Sequence, residues 1–277
     1  RMRLPVTIVE KIRSALGENF LLIFRLSMID LIPNGSSHDE VVILAKKLEA
    51  AGINIINTGI GWHEARIPTI ATSVPPAAFS WVTKKLMGKI TIPLITSNRI
   101  NTPEKVEEVL NSKCADLVSM ARPFLADPDF VNKASQDKSE LIAPCIACNQ
   151  ACLDHTFKGK ISSCLVNPRA CYEDELELKL VSNPKKIAIV GAGPAGLSAA
   201  ITAAQVGHQV TLFEKEQELG GQLNLAKKVP GKEEFWGLVS WYENMIKILP
   251  AIEIKLNHTA EKKELVNFDK VIIATGV

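Results

Sequence analysis

Four of the six cysteines lie in one short segment, and their spacing is that of metal ligands. They are Cys145, Cys148, Cys152 and Cys164, spaced C-x2-C-x3-C-x11-C. Thiolates at this spacing can close around an iron–sulfur cluster or around one tetrahedral ion such as Zn²⁺. Structural zinc commonly uses two short cysteine pairs, whereas three cysteines crowd one loop here. The spacing therefore favours an iron–sulfur cluster, with zinc as the alternative. We expect Cys114 and Cys171, which lie outside the pattern, to be ordinary packed cysteines.

A glycine-rich turn between two predicted strands is the second motif. Gly191, Gly193 and Gly196 form G-x-G-x-x-G after the apolar run IAIV, and a second strand, QVTLF, ends at Glu214. In dinucleotide sites the first glycine permits the turn, the second lets the backbone approach a pyrophosphate, and the third lets helix pack on strand. Glu214 is expected to bind a ribose diol and to repel a 2′-phosphate. The motif predicts FAD or NAD, against the alternative of a turn without a ligand.

Charged side chains also follow the predicted strands of the first half. Arg25, Arg99 and Arg122 each come near the C-terminal end of a strand, where parallel α/β sheets bind ligands. Together they suit an anion such as a cofactor phosphate; solvated charges or helix-end partners are the alternative. His63, in GIGWHEARIPT, is either an acid–base group or an ordinary loop histidine.

The elements that must position these residues alternate between strand and helix. Predicted strands cover 20–27, 53–59, 90–98 and 115–121. Helices are expected over 4–16 and around 77–87, after a capping box of Ser37 and Glu40, and after the cap Thr102 with Pro103. This alternation predicts a parallel α/β sheet with right-handed crossovers. Four such units are either half of an eightfold barrel or an open four-stranded sheet.

Composition limits the class of protein. The 277 residues are 47% apolar and 22% charged, and the formal charge is +2. These values are typical of a globular protein that binds small molecules, and they give no reason to expect nucleic acid as a partner. No apolar run is long enough for a membrane span, and the first residues given do not have the pattern of a signal peptide. We therefore expect a cytoplasmic protein, in which clustered cysteines are metal ligands more often than disulfides. Because the chain opens without methionine and stops after VIIATG, we expect a piece of a longer protein.

Across its length the chain resembles the bacterial-type NADPH-dependent 2,4-dienoyl-CoA reductases, which are iron–sulfur flavoproteins related to old yellow enzyme. The resemblance is carried by RLSMIDL, INTGIGWHEARIPTIAT, FSWVTKKL, TSNRI, VSMARPFLADP, CIACNQACLD, SCLVNPRAC, VGAGPAGL, TLFEKEQELGGQ and PGKEEF. The cysteine segment is specific to this group of multicentre flavoenzymes. GIGWHEARIPT points to the dienoyl-CoA reductase branch.

The resemblance implies an architecture of three parts. Residues 1–140 would be the C-terminal half of a (β/α)8 barrel that binds FMN. Residues 141–184 would be an iron–sulfur segment and linker, in which the four cysteines hold a [4Fe-4S] cluster. Residues 185–277 would be an incomplete Rossmann-like domain that binds FAD. The rest of the barrel, with a tyrosine proton donor, and the domain for NADPH would lie outside this chain.

The resemblance also assigns roles to single residues. Arg25 and Arg99 match flavin-contacting arginines, and Ala121 and Arg122 match the FMN phosphate site. His63 matches the active-site histidine that works with the tyrosine. The FAD motif is matched by Gly191, Gly193, Gly196, Glu214 and Gln222.

The implied activity is reduction of a 2,4-dienoyl-CoA thioester to an enoyl-CoA in the β-oxidation of unsaturated fatty acids. Electrons would pass from NADPH to FAD, to [4Fe-4S], to FMN and to the substrate. An iron–sulfur flavoenzyme similar to trimethylamine dehydrogenase or to enoate reductases is the nearest alternative. A zinc-stabilised nucleotide-binding module without redox activity is the alternative from another class.

Overall fold

Two four-stranded parallel sheets organise the chain, and each belongs to a separate compact unit. The structure is a computed structural model that describes residues 2–62 and 65–276. The compact units are residues 1–122 and 123–277. No helix within the described ranges is long and apolar enough to span a membrane.

The first unit consists of four consecutive strand–helix repeats. Its elements are α1 (Arg3–Leu16), β1 (Ile23–Ile29), α2 (His38–Ala50), β2 (Ile55–Ile60), α3 (Ser80–Lys84), β3 (Leu94–Thr96), α4 (Pro103–Asn111) and β4 (Leu117–Val118). The strand order is β1-β2-β3-β4, with every pair parallel. Consecutive βα units of a barrel give this sequential order, whereas a doubly wound sheet reverses its order at a switch point. The prediction of a parallel α/β sheet is confirmed.

Helix starts in the first unit follow the predicted caps. Ser37 accepts a hydrogen bond from the Glu40 backbone N–H, and Glu40 in return accepts one from the Ser37 backbone. Thr102 caps α4, with Pro103 in its first turn. The main core of this unit packs α1 and α2 against the strands through buried residues such as Leu48 and Ile56.

Several strands are shorter than predicted, and β3 shows why. The predicted strand 90–98 is reduced to Leu94–Thr96. At its start, the backbone N–H groups of Thr91 and Ile92 donate to the Glu49 carboxylate, so they are withdrawn from the sheet. At its end, Asn98 and Arg99 have φ values of 74° and 56°, in the left-handed region, which no strand continues through.

The second unit begins with short helices and the cysteine segment and ends in a second parallel sheet. Its elements are α5 (Arg122–Ala126, starting at the last residue of the first unit), α6 (Phe130–Ala134), a 3₁₀ turn (Ser139–Leu141), a π-helix (Gln150–Asp154), α7 (His155–Phe157), β5 (Lys186–Val190), α8 (Pro194–Gln205), β6 (Gln209–Phe213), α9 (Leu223–Ala226), α10 (Glu234–Lys247), β7 (Ile252–Lys255), α11 (Lys262–Leu265) and β8 (Lys270–Ile273). The strand order is β7-β6-β5-β8. One buried cluster joins α8 and α10 to the sheet and to the cysteine segment.

Candidate functional site

Arg25 lies on an open face of the sheet in the first unit. It is the third residue of β1, and its register partner on β2 is Asn57. Arg25 Nη1 donates a hydrogen bond to Asn57 Oδ1 at 2.8 Å. Our placement of Arg25 at the C-terminal end of its strand is wrong, because the strand continues to Ile29. The Arg25 side chain is nonetheless exposed, so its other N–H donors remain accessible to a ligand.

Arg99 and Arg122 are held by the loop that follows β2. Arg99 is buried, and its Nε donates to the Val74 carbonyl at 2.7 Å. Arg122 Nη1 donates to the Ile70 carbonyl at 3.0 Å. The exposed Ala121 precedes Arg122 directly. The structure therefore attaches two of the three arginines to one loop and holds Arg25 against β2. Arginine side chains are the donor type that an anionic flavin mononucleotide requires, and the assignment of these three to it stays a prediction.

Asp30 organises the turn after β1. It is 5% exposed, accepts hydrogen bonds from Ser27 Oγ at 2.8 Å and the Ser36 N–H at 2.7 Å, and also pairs with the Trp62 side chain. Burial alone would raise the pKa of Asp30, but these hydrogen bonds outweigh it and lower the pKa below its usual value. The Asp30 carboxylate therefore holds the loop between β1 and α2 and also binds the Trp62 side chain after β2. His63, the predicted acid–base residue, lies outside the described residues.

The four cysteines of the metal-ligand pattern lie in the second unit with apolar surroundings. Cys145 is buried, and the other three are half-buried. Cys145, Cys148 and Cys164 pack against the core of this unit. The Ser163 N–H donates to the Ala151 carbonyl at 2.8 Å, which ties the chain before Cys164 to the π-helix that contains Cys152.

Burial and nearby groups shift the pKa of one thiol of this segment, Cys164. Burial raises the pKa of the Cys164 thiol; backbone N–H groups of Asn167 and Val166 lower it, and negative charge on Cys148 and Cys152 raises it. Tyr242 lies near Cys164 as well, and burial together with that sulfur raises the tyrosine pKa to about 12. Backbone N–H groups that donate to cysteine sulfur are typical of iron–sulfur sites. The four thiols are the donor type that a cluster requires, but within the described residues no three His, Cys, Asp or Glu side chains form a group that could hold a metal ion, so the cluster stays a prediction.

In the glycine-rich turn, two glycines are required by close contacts within the protein and one is not. A Cβ on Gly196 would lie 1.8 Å from the Gly191 carbonyl oxygen, and a Cβ on Gly191 would lie 2.4 Å from that of Ala274. A Cβ on Gly193 would meet nothing within 4 Å. Gly193 is therefore free of protein at the position where the motif predicts a pyrophosphate, and the turn fits a dinucleotide.

Glu214 lies directly after β6 and connects to the same turn. It is buried, its Oε2 accepts from the Ala192 N–H at 2.7 Å, and its Oε1 accepts from the Glu216 N–H at 3.0 Å. A carboxylate has about four acceptor positions, so two remain for a ribose diol. Gln222 is exposed and follows Gly220, whose N–H donates to the Ala192 carbonyl at 2.9 Å. Glu214 and Gly220, two residues before Gln222, thus both reach the turn through Ala192, and the roles of Glu214 and Gln222 toward FAD stay predictions.

Several contacts near these sites could not be predicted from the sequence. Asn57 and Asp30 make the hydrogen bonds described above, but only strand register and loop folding reveal them. Asn224 Oδ1 is buried without a partner in the described residues, although its Nδ2 donates to the Leu219 carbonyl at 2.8 Å. Ala274, directly after β8, lies against Gly191. The run of small residues ATG was the sequence feature that could have indicated this close approach.

Two protein-family models match the chain, one over the segment with the first sheet and one over the segment with the second. Residues 1–140 match the model of the NADH:flavin oxidoreductase / NADH oxidase family. Residues 185–277 match the pyridine nucleotide-disulphide oxidoreductases. The first match indicates an FMN-type flavin domain with a TIM-barrel-like fold, and the second a domain of the FAD/NAD type.

Individual proteins align over the whole chain. A metal reductase from Desulforamulus reducens is 39% identical over 100% of this chain and 42% of its own length. A cinnamate reductase from Clostridium sporogenes is 33% identical, again over 100% of this chain, and 44% of its own length is covered. A solved complex of 2-naphthoyl-CoA reductase with 2-naphthoyl-CoA matches 99% of this chain and 42% of that chain, with 32% identity and a TM-score of 0.95. The chain therefore spans about two fifths of the length of these relatives.

Proposed function

The chain belongs to the NADH:flavin oxidoreductase / NADH oxidase family, and from this membership we propose that it is part of an NADPH-dependent reductase of carbon–carbon double bonds conjugated to a thioester. The likeness to 2-naphthoyl-CoA reductase carries this proposal, since that protein was solved with a conjugated CoA thioester. The cinnamate reductase supports reduction of a conjugated carbon–carbon double bond, there next to a carboxylate in place of a thioester. Within it we propose a 2,4-dienoyl-CoA as substrate and an enoyl-CoA as product, because GIGWHEARIPT matches that branch.

The proposed reaction consumes one hydride and one proton. NADPH is oxidised to NADP⁺, a hydride adds to the terminal carbon of the conjugated system, and a proton adds to the substrate. The resident groups would supply hydride exchange at FAD and FMN and one-electron transfer at a [4Fe-4S] cluster.

The residues of this chain would hold these groups in separate places. Arg25 and Arg99 would bind the flavin of FMN, and Ala121 with Arg122 its phosphate. Gly193 and Glu214 would hold the pyrophosphate and a ribose of FAD, beside Gln222. The cluster ligands would be Cys145, Cys148, Cys152 and Cys164.

His63 is the proposed acid–base residue. Charge that develops on the thioester oxygen during reduction needs a hydrogen-bond donor, and a histidine near neutral pKa can supply one and return the proton. A His63→Ala variant should slow reduction of the substrate more than reduction of FAD by NADPH. Equal slowing of both half-reactions in stopped-flow measurements would remove this role.

Turnover of the full enzyme that contains this chain tests the proposal. With NADPH under anaerobic conditions, a decadienoyl-CoA should be reduced faster than cinnamate or 2-naphthoyl-CoA. Faster reduction of cinnamate or 2-naphthoyl-CoA would keep a conjugated-acid reductase and remove the dienoyl assignment. In a separate assay without NADPH, oxidation of trimethylamine by an added artificial electron acceptor, with no reduction of the three conjugated acids in the first assay, would favour the trimethylamine dehydrogenase alternative.

Metal and flavin analysis of the purified protein tests the cofactors. We expect iron and acid-labile sulfide, FMN and FAD. Zinc without flavin absorption would instead support the non-redox module. In a Cys148→Ser variant, NADPH should still reduce FAD while the dienoyl substrate stays unreduced; unimpaired turnover would contradict the electron relay.

A further inference from the structure

Strand register places an amide side chain directly beside Arg25. On the paired strands β1 and β2, Arg25 is opposite Asn57, and Ser27 is opposite Gly59. Because side chains alternate between the faces of a strand, all four residues lie on the same face of the sheet. Arg25 and Ser27 are exposed, so this face is open.

Hydrogen bonds fix the orientation of Asn57 from both sides. Its Oδ1 accepts from Arg25 Nη1 at 2.8 Å, and its Nδ2 donates to Ser119 Oγ at 3.3 Å. An arginine only donates, so the amide oxygen must be the atom that faces Arg25. Ser119 follows β4 and its Oγ lies 3.5 Å from the Thr96 carbonyl of β3. Asn57 is thereby anchored to Ser119, directly after the edge strand β4, and it presents a fixed hydrogen-bond acceptor to Arg25.

Arg25 extends from its own strand toward Gly59 of β2. A Cβ at Gly59 would lie 3.7 Å from Arg25 Nε, at ordinary contact distance. Asn57 accepts from one of the five N–H donors of Arg25, and the Arg25 side chain is exposed within the described residues. A long arginine side chain without Asn57 would have to be ordered by its ligand.

We propose that Asn57 is a positioning residue that holds Arg25 in the orientation in which its other donors meet the pyrimidine edge of the flavin. This inference rests on the proposed FMN site. A cation held beside that edge stabilises the negative charge that reduced flavin acquires. Asn57 would therefore raise both the affinity for FMN and the flavin midpoint potential without touching the flavin itself.

An Asn57→Ala variant of the full enzyme tests this proposal. The Kd for FMN, titrated into apoprotein, should rise about tenfold, the effect of losing one hydrogen bond to a charged group. The midpoint potential of the bound FMN should fall, and kcat should fall more than KM rises. In an Arg25→Ala background, Asn57→Ala should change neither the Kd nor the potential further.

The chain offers a matched control directly before β2. Asn54 Oδ1 accepts from Arg13 Nη2 of α1 and from the Leu22 N–H ahead of β1, each at 2.8 Å, so Arg13 and Asn54 are also an arginine–asparagine pair. Asn54→Ala should cost stability but leave the potential unchanged. Equal FMN Kd values and potentials in the Asn57 and Asn54 variants would overturn the proposal.

A milder variant keeps the test decisive if Asn57→Ala does not fold. Ser119→Ala removes only the outer anchor of Asn57, so FMN should bind about two- to threefold more weakly, with a smaller fall in potential. An unchanged Kd and potential in that variant would also overturn the proposal. Failure of the wild-type enzyme to bind FMN would refute the proposed function instead.

Discussion

Asp30 illustrates how a single buried carboxylate can hold a functional loop. Its two oxygens bind a hydroxyl from β1 and a backbone N–H from the loop that precedes α2. Gly35 permits this approach, because a Cβ there would lie 2.8 Å from Asp30 Cβ. The Trp62 side chain joins the same carboxylate. The Asp30 carboxylate therefore holds together Ser27, the loop before α2 and the Trp62 side chain.

We predict that Asp30→Asn destabilises the first unit by about 1–3 kcal/mol at pH 7, because an amide nitrogen would face a hydrogen-bond donor. The pKa of Asp30 is lowered in the folded protein, so its stabilising contribution is present above the ordinary value of 3.8 and is lost as pH falls through the folded value. Urea unfolding at pH 7 and at acid pH measures this. A difference between wild type and variant that does not shrink on acidification would contradict the prediction.

Glu214 was predictable from the sequence because its role depends on local spacing. Its distance from the glycine motif is set by one strand–turn–helix–strand unit, and the structure places it against Ala192 as that unit requires. Asn57 was not predictable in the same way. Its partner Arg25 lies 32 residues away, and only the register of β1 on β2 brings the two together.

For Glu214→Gln we predict that FAD binds about tenfold more weakly, because the neutral amide accepts fewer hydrogen bonds from a ribose diol and leaves one donor misplaced. Flavin content after gel filtration and FAD titration measure this loss. Glu216→Gln serves as control, since Glu216 is exposed and its carboxylate is 3.7 Å from Lys215. Equal FAD retention by both variants would refute the assignment.

At the scale of elements, the sequence predicted which segments form helices and strands better than where they end. The caps of α2 and α4 follow local chemistry and were correct. The ends of β3 depend on Glu49, a residue of α2 that reaches the backbone of Thr91 and Ile92. A distant side chain competes there for the backbone donors of the strand, and no local pattern encodes that competition.

Two glycines in the turn between β5 and α8 are predicted to differ in what they contribute, one to stability and the other to FAD binding. Gly196→Ala should destabilise the second unit by several kcal/mol, because its Cβ would overlap the Gly191 carbonyl oxygen. Gly193→Ala should fold with nearly wild-type stability, since nothing lies within 4 Å of its Cβ, yet it should lose most FAD binding. Thermal unfolding of the apoprotein, followed by FAD titration, separates the two effects. A Gly193→Ala protein that binds FAD normally would contradict the role of this glycine.

At the scale of the whole molecule, each compact unit has its own buried core. The two clusters of the first unit lie between Val9 and Met120. The cluster of the second unit runs from Ala126 to Ala274 and includes cysteines of the metal-ligand pattern. Because the cores share no residue, each unit has the packing of an independent cooperative unit.

We therefore predict two unfolding transitions in calorimetry of the apoprotein. Asp30→Asn should lower the midpoint of one transition, and Gly196→Ala that of the other. FMN at about 100 times its Kd should stabilise the first by about 2.7 kcal/mol, and FAD the second by a similar amount at the same saturation. The two variants serve as mutual controls, since the changes lie in separate cores and should add in the double variant. A single transition that both flavins shift equally would show that the two cores unfold as one, and each flavin would then stabilise the entire chain.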